Sequence, residues 1–116
     1  EQMRNQANVA DITAYLERIK KLISMGKYDF VPRRKSLQSL SQYGLTIMDA
    51  KAEILELVVS DYYKGTKQDF DPNRPGEIWE FKKDIDGIRF YIKLKIVWEN
   101  EKEILKCLGF HQDDYA

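Results

Sequence analysis

The sequence predicts an α+β protein, with N-terminal helices packed on one face of a C-terminal antiparallel sheet. Three observations carry that prediction. Apolar residues recur every three to four positions as far as Val58, and they alternate with polar ones from Ile78 onward. The two regimes are separated by "GTKQDFDPNRPG", residues 65–76, where the turn formers cluster.

The helical half reads as follows. Between Val9 and Met25, the residues Ile12, Tyr15, Leu16, Ile19, Leu22 and Ile23 form one apolar stripe, with Asp11 near the start and Gly26 as the stop. "YDFVP" (28–32) is β-prone and closed by a proline, so it is expected as an edge strand or an extended linker. After "RRK" (33–35), Ser36 is expected to cap a short helix that runs through Tyr43 and stops at Gly44. Thr46 and Asp49 make a capping box, with Asp in the place of the usual Glu or Gln. The helix they open lines up Ile47, Ala50, Ile54, Leu57 and Val58. "SDYYKG" (60–65) is expected as a further turn or short helix. The stretch 65–76 is expected as a surface loop within one domain spanning 1–116, because the strands after it are too few to fold alone. Residues 1–8 are expected to be disordered or foreign to that domain.

Three strands follow: "EIWEFKKDI", "GIRFYIKLKIVWE" and "EILKCLGFH". Asp86-Gly87 predicts a two-residue type I′ turn, which fixes the register of the first two. Ile85 then faces Ile88, Asp84 faces Arg89, Lys82 faces Tyr91 and Glu80 faces Lys93. Phe81 with Ile92 and Trp79 with Leu94 turn to the core, joined by Ile88, Phe90, Ile96 and Trp98. Glu80, Lys82, Tyr91, Lys93 and Lys95 share the opposite, exposed face. If Phe110 on the third strand faces the core, His111 lies across from Tyr91. That parity requires an odd-length loop such as 100–102, and it turns Lys106 inward and Leu105 and Cys107 outward.

Composition narrows the chemistry. The 116 residues carry 43% hydrophobic and 33% charged residues and a formal net charge of zero, so any nucleic-acid affinity must come from a local patch. No apolar run is long enough for a membrane helix, and no secretory signal is expected. The single cysteine, Cys107, excludes an internal disulfide and fits a reducing cytoplasm. It reads as a small strand hydrophobe. No P-loop, GxSxG or dinucleotide fingerprint is present. One Cys and one His cannot build a usual zinc site, and Asp69 and Asp71 fall in a turn-rich, solvated stretch. Neither a metal nor a cofactor is expected.

The polar face admits two readings. In one, Glu80 and Lys93 are a solvated cross-strand pair, and Tyr91 and His111 are ordinary surface residues. In the other, the lysines neutralise phosphate charge, the tyrosine stacks on an unpaired base, and the carboxylate and imidazole move protons.

Taken in order, "SDYYKG", a loop, "EIWEFKKDIDG", "RFYIKLKI" and a final "GFH" resemble the MqsR family of type II toxin–antitoxin toxins, mRNA interferases with a RelE-like fold. "IKKLISMGKYDFVPR" and "SLQSLSQYGLTIMDAKAEILEL" resemble the family's first helix and its two middle helices, so the likeness covers roughly residues 12–111. The resemblance implies site residues at Lys64, after "DYY", and at Glu80, after "IW". It implies others at Tyr91 and Lys93 of "YIK", and at His111 after the last "F". Two of these differ from the best-known member, which has a glutamine where Glu80 stands and a lysine where His111 stands. Glutamate and histidine are common acid/base groups in other RelE-like ribonucleases. The neutral net charge and the segment 67–74 also differ from the family.

What the resemblance implies is a metal-independent endoribonuclease toxin. A ribose 2′-OH attacks the adjacent phosphorus, leaving a 2′,3′-cyclic phosphate and a 5′-OH. Glu80 is the candidate base and His111 the candidate acid, with the roles able to swap. Lys64 and Lys93 stabilise charge, and Tyr91 orients phosphate or stacks on a base. Arg33, Arg34, Lys82, Arg89 and Lys95 are candidate RNA-backbone contacts. The implied partners are an RNA substrate and a cognate antitoxin protein, with the ribosome as a candidate third. No membrane partner is expected. The rival expectation is a non-catalytic protein- or RNA-binding module on the same scaffold.

Overall fold

The structure is a computed structural model that describes residues 7–68 and 76–114. Its elements are α1 (Val9–Ser24), β1 (Tyr28–Phe30), α2 (Arg34–Gln42), α3 (Ile47–Leu55), a 3-10 turn (Val59–Asp61), β2 (Tyr62–Gln68), β3 (Glu77–Ile85), β4 (Ile88–Glu99) and β5 (Lys102–Gln112). The fold is α+β, as expected. The sheet has five strands in the order β1-β5-β4-β3-β2, and it is mixed, because β1 runs parallel to β5 while the other pairs are antiparallel. Among the described residues no helix is long and apolar enough to cross a membrane.

Side-chain caps open α1 and α3 but not α2. Asn8 Oδ1 accepts the Asp11 N–H at 2.8 Å and so opens α1. Ala7 and Asn8 therefore belong to the domain, against the expectation for 1–8; residues 1–6 lie outside the described residues. The reciprocal box at α3 is complete, with Thr46 Oγ1 accepting from Asp49 N at 3.0 Å and Asp49 Oδ2 accepting from Thr46 N at 2.8 Å. Its stripe ends early: Leu57 is buried but Val58 is exposed. At α2 the cap is Arg33, and Ser36 sits one turn inside. Its hydroxyl accepts the Phe110 N–H at 2.9 Å, and that of Ser39 accepts the Gln112 N–H at 3.0 Å. The reason lies in the sheet. β1 pairs only with Leu105–Cys107, so beyond it the edge of β5 would expose unpaired donors, and two helix hydroxyls take the place of a strand.

The core lies between the sheet and the helices, with Ile12, Tyr15, Leu16, Ile19, Leu22 and Ile23 from α1, Leu40 from α2, and Ala50 and Ile54 from α3. Tyr15 of α1 stacks on Trp79 with ring centroids 4.1 Å apart, and Phe81, Phe90, Ile92, Leu94 and Phe110 are fully buried. The β3–β4 register is the expected one from Ile85↔Ile88 through Trp79↔Leu94, with Asp86 (φ 52°) and Gly87 (φ 83°) in the left-handed conformation a type I′ turn requires. At the far end β4 outruns the helical layer. Ile96 is half-buried and Trp98 is 70% exposed, so Trp98 does not reach the core.

β5 corrects the parity argument. Glu99 pairs with Lys102, so the connection is the two-residue turn Asn100-Glu101, not an odd-length loop. The odd residue is instead a bulge: Lys93 pairs with Gly109 while Leu94 pairs with Cys107, which leaves Leu108 without a partner. The inward Phe110 and the Tyr91↔His111 pair survive, while everything before the bulge changes face. Leu105 and Cys107 are buried, and Lys106 is on the outer face, bonded to Asp29 at 2.7 Å and to Glu99 at 3.3 Å.

The stretch "SDYYKG" is corrected as well. It is the end of the 3-10 turn followed by β2, so Lys64 and the first residues of 65–76 lie on a strand; residues 69–75 fall outside the described residues. β2 shifts register twice, between Tyr62 and Lys64 and between Lys64 and Lys67, and this breaks the alternation that would have revealed it. Gly65 (φ 136°) sits within one shift. A Cβ there would lie 3.0 Å from both Ile78 O and Trp79 Cα, so only glycine lets β2 approach β3 so closely.

Candidate active site on the outer sheet face

Strand registers assemble the site in rows. Lys64, Glu80, Lys93 and Gly109 lie across from one another on β2, β3, β4 and β5. Lys82, Tyr91 and His111 form the next row, and Asp84 and Arg89 a third, continued by the Asp113 N–H donating to Arg89 O at 2.8 Å. Neighbouring strands are about 4.8 Å apart and same-face rows about 7 Å apart. All five sequence-derived catalytic candidates therefore fall in two adjacent rows.

The face is less open than alternation suggests. Glu80 is 4% exposed, so its carboxylate lies in a sheltered position, not on a solvated surface. The half-buried Tyr91 hydroxyl is hydrogen-bonded to it. Burial first, then the negative charge of Glu80 and this bond, raise the Tyr91 phenol well above its usual range, with Arg33 pulling weakly the other way. Tyr91 is thus held protonated, as a donor.

His111 tilts its ring 38° against Tyr91 at a centroid distance of 5.1 Å. Its Nδ1 lies 2.9 Å from Gln112 O. A carbonyl can only accept, so Nδ1 carries the hydrogen, and Nε2 is the nitrogen available for proton exchange. Nε2 borders Gly109, where a Cβ would stand 3.8 Å from it and 3.4 Å from Lys93 Cβ. The glycine leaves a hollow between lysine and imidazole.

Tyr63, Asp113 and Gly109 complete the surroundings, and sequence reasoning missed all three. The Tyr63 ring lies 5.2 Å from the Lys64 ammonium and 4.0 Å from that of Lys82. Lys82 also pairs with Asp113 at 2.9 Å, and both side chains are largely buried. The hidden strand concealed Tyr63, and Asp113 follows the last strand, where periodicity ends. Gly109, inside a strand pattern, was the available signal of a bulge.

The RNA-backbone candidates separate. Arg33 and Arg89 are exposed, with Arg89 paired to Asp84 at 3.2 Å. Arg34 lines a shallow groove on α2 with Pro32 and Leu37 and joins none of the three rows. Lys95, 3% exposed, cannot offer its ammonium to an RNA phosphate in solvent, and Lys82 is engaged by Asp113 and Tyr63. Their places on the polar face follow from the β3–β4 register, but not their accessibility.

The chain matches no known family model and no curated protein.

Proposed function

We propose that this protein is a metal-independent endoribonuclease, the toxin of a type II toxin–antitoxin pair acting in the cytoplasm. One observation carries the reading: a sheltered carboxylate, a protonated phenol and an imidazole with its Nε2 available occupy adjacent rows, with two lysines beside them. Transesterification of RNA needs a base, an acid and cations on the phosphorane, and this set supplies them. Glu80 takes the proton of a ribose 2′-OH, and the 2′-oxygen bonds to phosphorus. The P–O5′ bond breaks, and the leaving oxygen takes a proton from His111. The products are a 2′,3′-cyclic phosphate and a 5′-OH, and proton exchange with water returns Glu80 to the carboxylate and His111 to the imidazolium from which it donates. Lys64 and Lys93 stabilise the charge of the crowded phosphorane, and Tyr91 turns its single hydrogen from Glu80 to a non-bridging oxygen as the 2′-OH takes its place on the carboxylate. Every proton and charge is handled by side chains, so the step needs no metal.

The test is purified protein incubated with single-stranded RNA in excess EDTA, with the fragment ends identified by mass. Cyclic phosphate and 5′-OH ends are expected. Intact RNA that is nonetheless bound, with or without ribosomes, would assign the face to a binding module.

A further inference from the structure

Gly109 is a glycine that the fold does not require. The chain's other five, Gly26, Gly44, Gly65, Gly76 and Gly87, all have φ in the left-handed region that L side chains rarely adopt. Gly109 does not. A Cβ built on it meets nothing closer than Lys93 Cβ at 3.4 Å and Cδ2 and Nε2 of His111 at 3.8 Å, which is ordinary packing. The bulge beside it makes no demand either, because the extra residue is Leu108 and neither residue has a positive φ. A glycine inside a strand weakens it, and often marks a place where a ligand comes close to the backbone.

We propose that the space left by Gly109 is the seat of a phosphate group, held between Lys93 and His111. The walls say what the seat would take. Lys93 stands directly across on β4, and the edge of the His111 ring that carries Nε2 borders the other side. Arg33 adds positive charge from the head of α2, felt at Tyr91 on β4 and at Cys107 on β5. Glu80, the carboxylate of this row, stands two strands away with the Tyr91 hydroxyl bonded to it. Cationic walls around a position without a side chain suit a compact anion whose oxygens can meet both sides. That the phosphate belongs to an RNA backbone rests on the nuclease reading; the seat itself does not. In that reading Gly109 is the residue that lets the scissile phosphorus settle beside the imidazole that protonates the leaving oxygen.

The test is Gly109→Ala, which fills the seat with one methyl group and favours the strand. Its urea midpoint should equal or exceed the parent's, and the His111 ring should keep its NMR contact with Tyr91. Inorganic phosphate, titrated at constant pH, should shift the ring signals of the single histidine saturably in the parent and bind at least about tenfold more weakly to the variant. The single-turnover rate of RNA cleavage should fall by roughly 100-fold, as for a reacting group displaced by about 1 Å. A seat for phosphate moves stability and binding in opposite directions, whereas a structural glycine moves them together. A variant that is less stable than the parent or fails to fold would show that the fold needs the glycine, and would overturn the proposal. So would phosphate that leaves the parent's ring signals unmoved, or that binds both proteins equally. A parent that binds phosphate in this way but leaves RNA intact would sink the nuclease reading and keep the seat. Parent and variant cleaving RNA at one rate would sink the seat and keep the nuclease.

Discussion

A carboxylate only 4% exposed, on a face that sequence alternation marks as polar, loses its water and needs hydrogen-bond partners in the protein, and the Tyr91 hydroxyl supplies one to Glu80. Tyr91→Phe should cost about 1 kcal/mol in chemical denaturation, the typical worth of one hydrogen bond, while keeping the ring against His111. A loss of 4 kcal/mol would mean that the hydroxyl is part of the fold and not of a site. Cys107 makes the opposite case. Burial pushes its thiol up to about 12, so at pH 8 roughly one molecule in ten thousand carries the thiolate. A thiol-alkylating reagent should leave native protein unlabelled at that pH and label it fully in denaturant; rapid native labelling would contradict the buried position. At this scale the faces of β3 and β4 residues were legible, because a two-residue turn sets them arithmetically. Burial was not, because Glu80 is sheltered by a neighbouring strand whose own pattern is broken.

Two elements fix where His111 can be. The bulge at Leu108 lets both Cys107 and Phe110 face the core, and α2 then holds the following residues through Ser36 and Ser39. Parity arithmetic detected that one extra residue was needed between β4 and β5, and placed it in the turn. A tight turn of Asn100 and Glu101 and a bulge further on satisfy the same count, and no local pattern distinguishes the two solutions except Gly109. Ser36 misled for a related reason: serine at a helix start normally caps it, but here its hydroxyl serves a strand edge. Ser36→Ala removes the acceptor of a buried N–H, so it should destabilise by about 1–3 kcal/mol and speed hydrogen exchange at the Phe110 amide. Ser36→Ala with unchanged stability and protection would show that the edge is satisfied some other way. Phe90→Ala, on the inward face next to Tyr91, should cost about 3–5 kcal/mol, since Phe90 is fully buried between Phe110 and Tyr43.

The molecule as a whole places a layer of helices against one side of a sheet and concentrates ionisable groups on the other. Among the described residues, three tyrosines, Tyr15, Tyr28 and Tyr91, are held protonated above the ordinary phenol value of 10.0, chiefly by burial. Their folded-state values are raised, so the stability they contribute is full below pH 10 and is lost as pH climbs above it, where the unfolded chain ionises first. Urea midpoints should be level up to that point and fall beyond it, and an unchanged midpoint at pH 11 would contradict the burial of these rings. The helix-then-strand order and the face of each β3–β4 residue were readable from period and turn chemistry. The parallel β1–β5 edge and β2 were not, since three residues are too few for a pattern and two register shifts erase one. If the toxin reading holds, expression of this chain alone should slow growth, and co-expression of a tight-binding neighbouring gene product should relieve it. The most direct measurement is the single-turnover rate of RNA cleavage, in EDTA, by the parent, Tyr91→Phe and Lys93→Ala. The account predicts cleavage by the parent and a loss of roughly 100- to 1000-fold in each folded variant, the usual effect of removing a preorganised donor. Parent and variants cleaving at the same rate would contradict it, and the outer face would then be only a charged, packed surface.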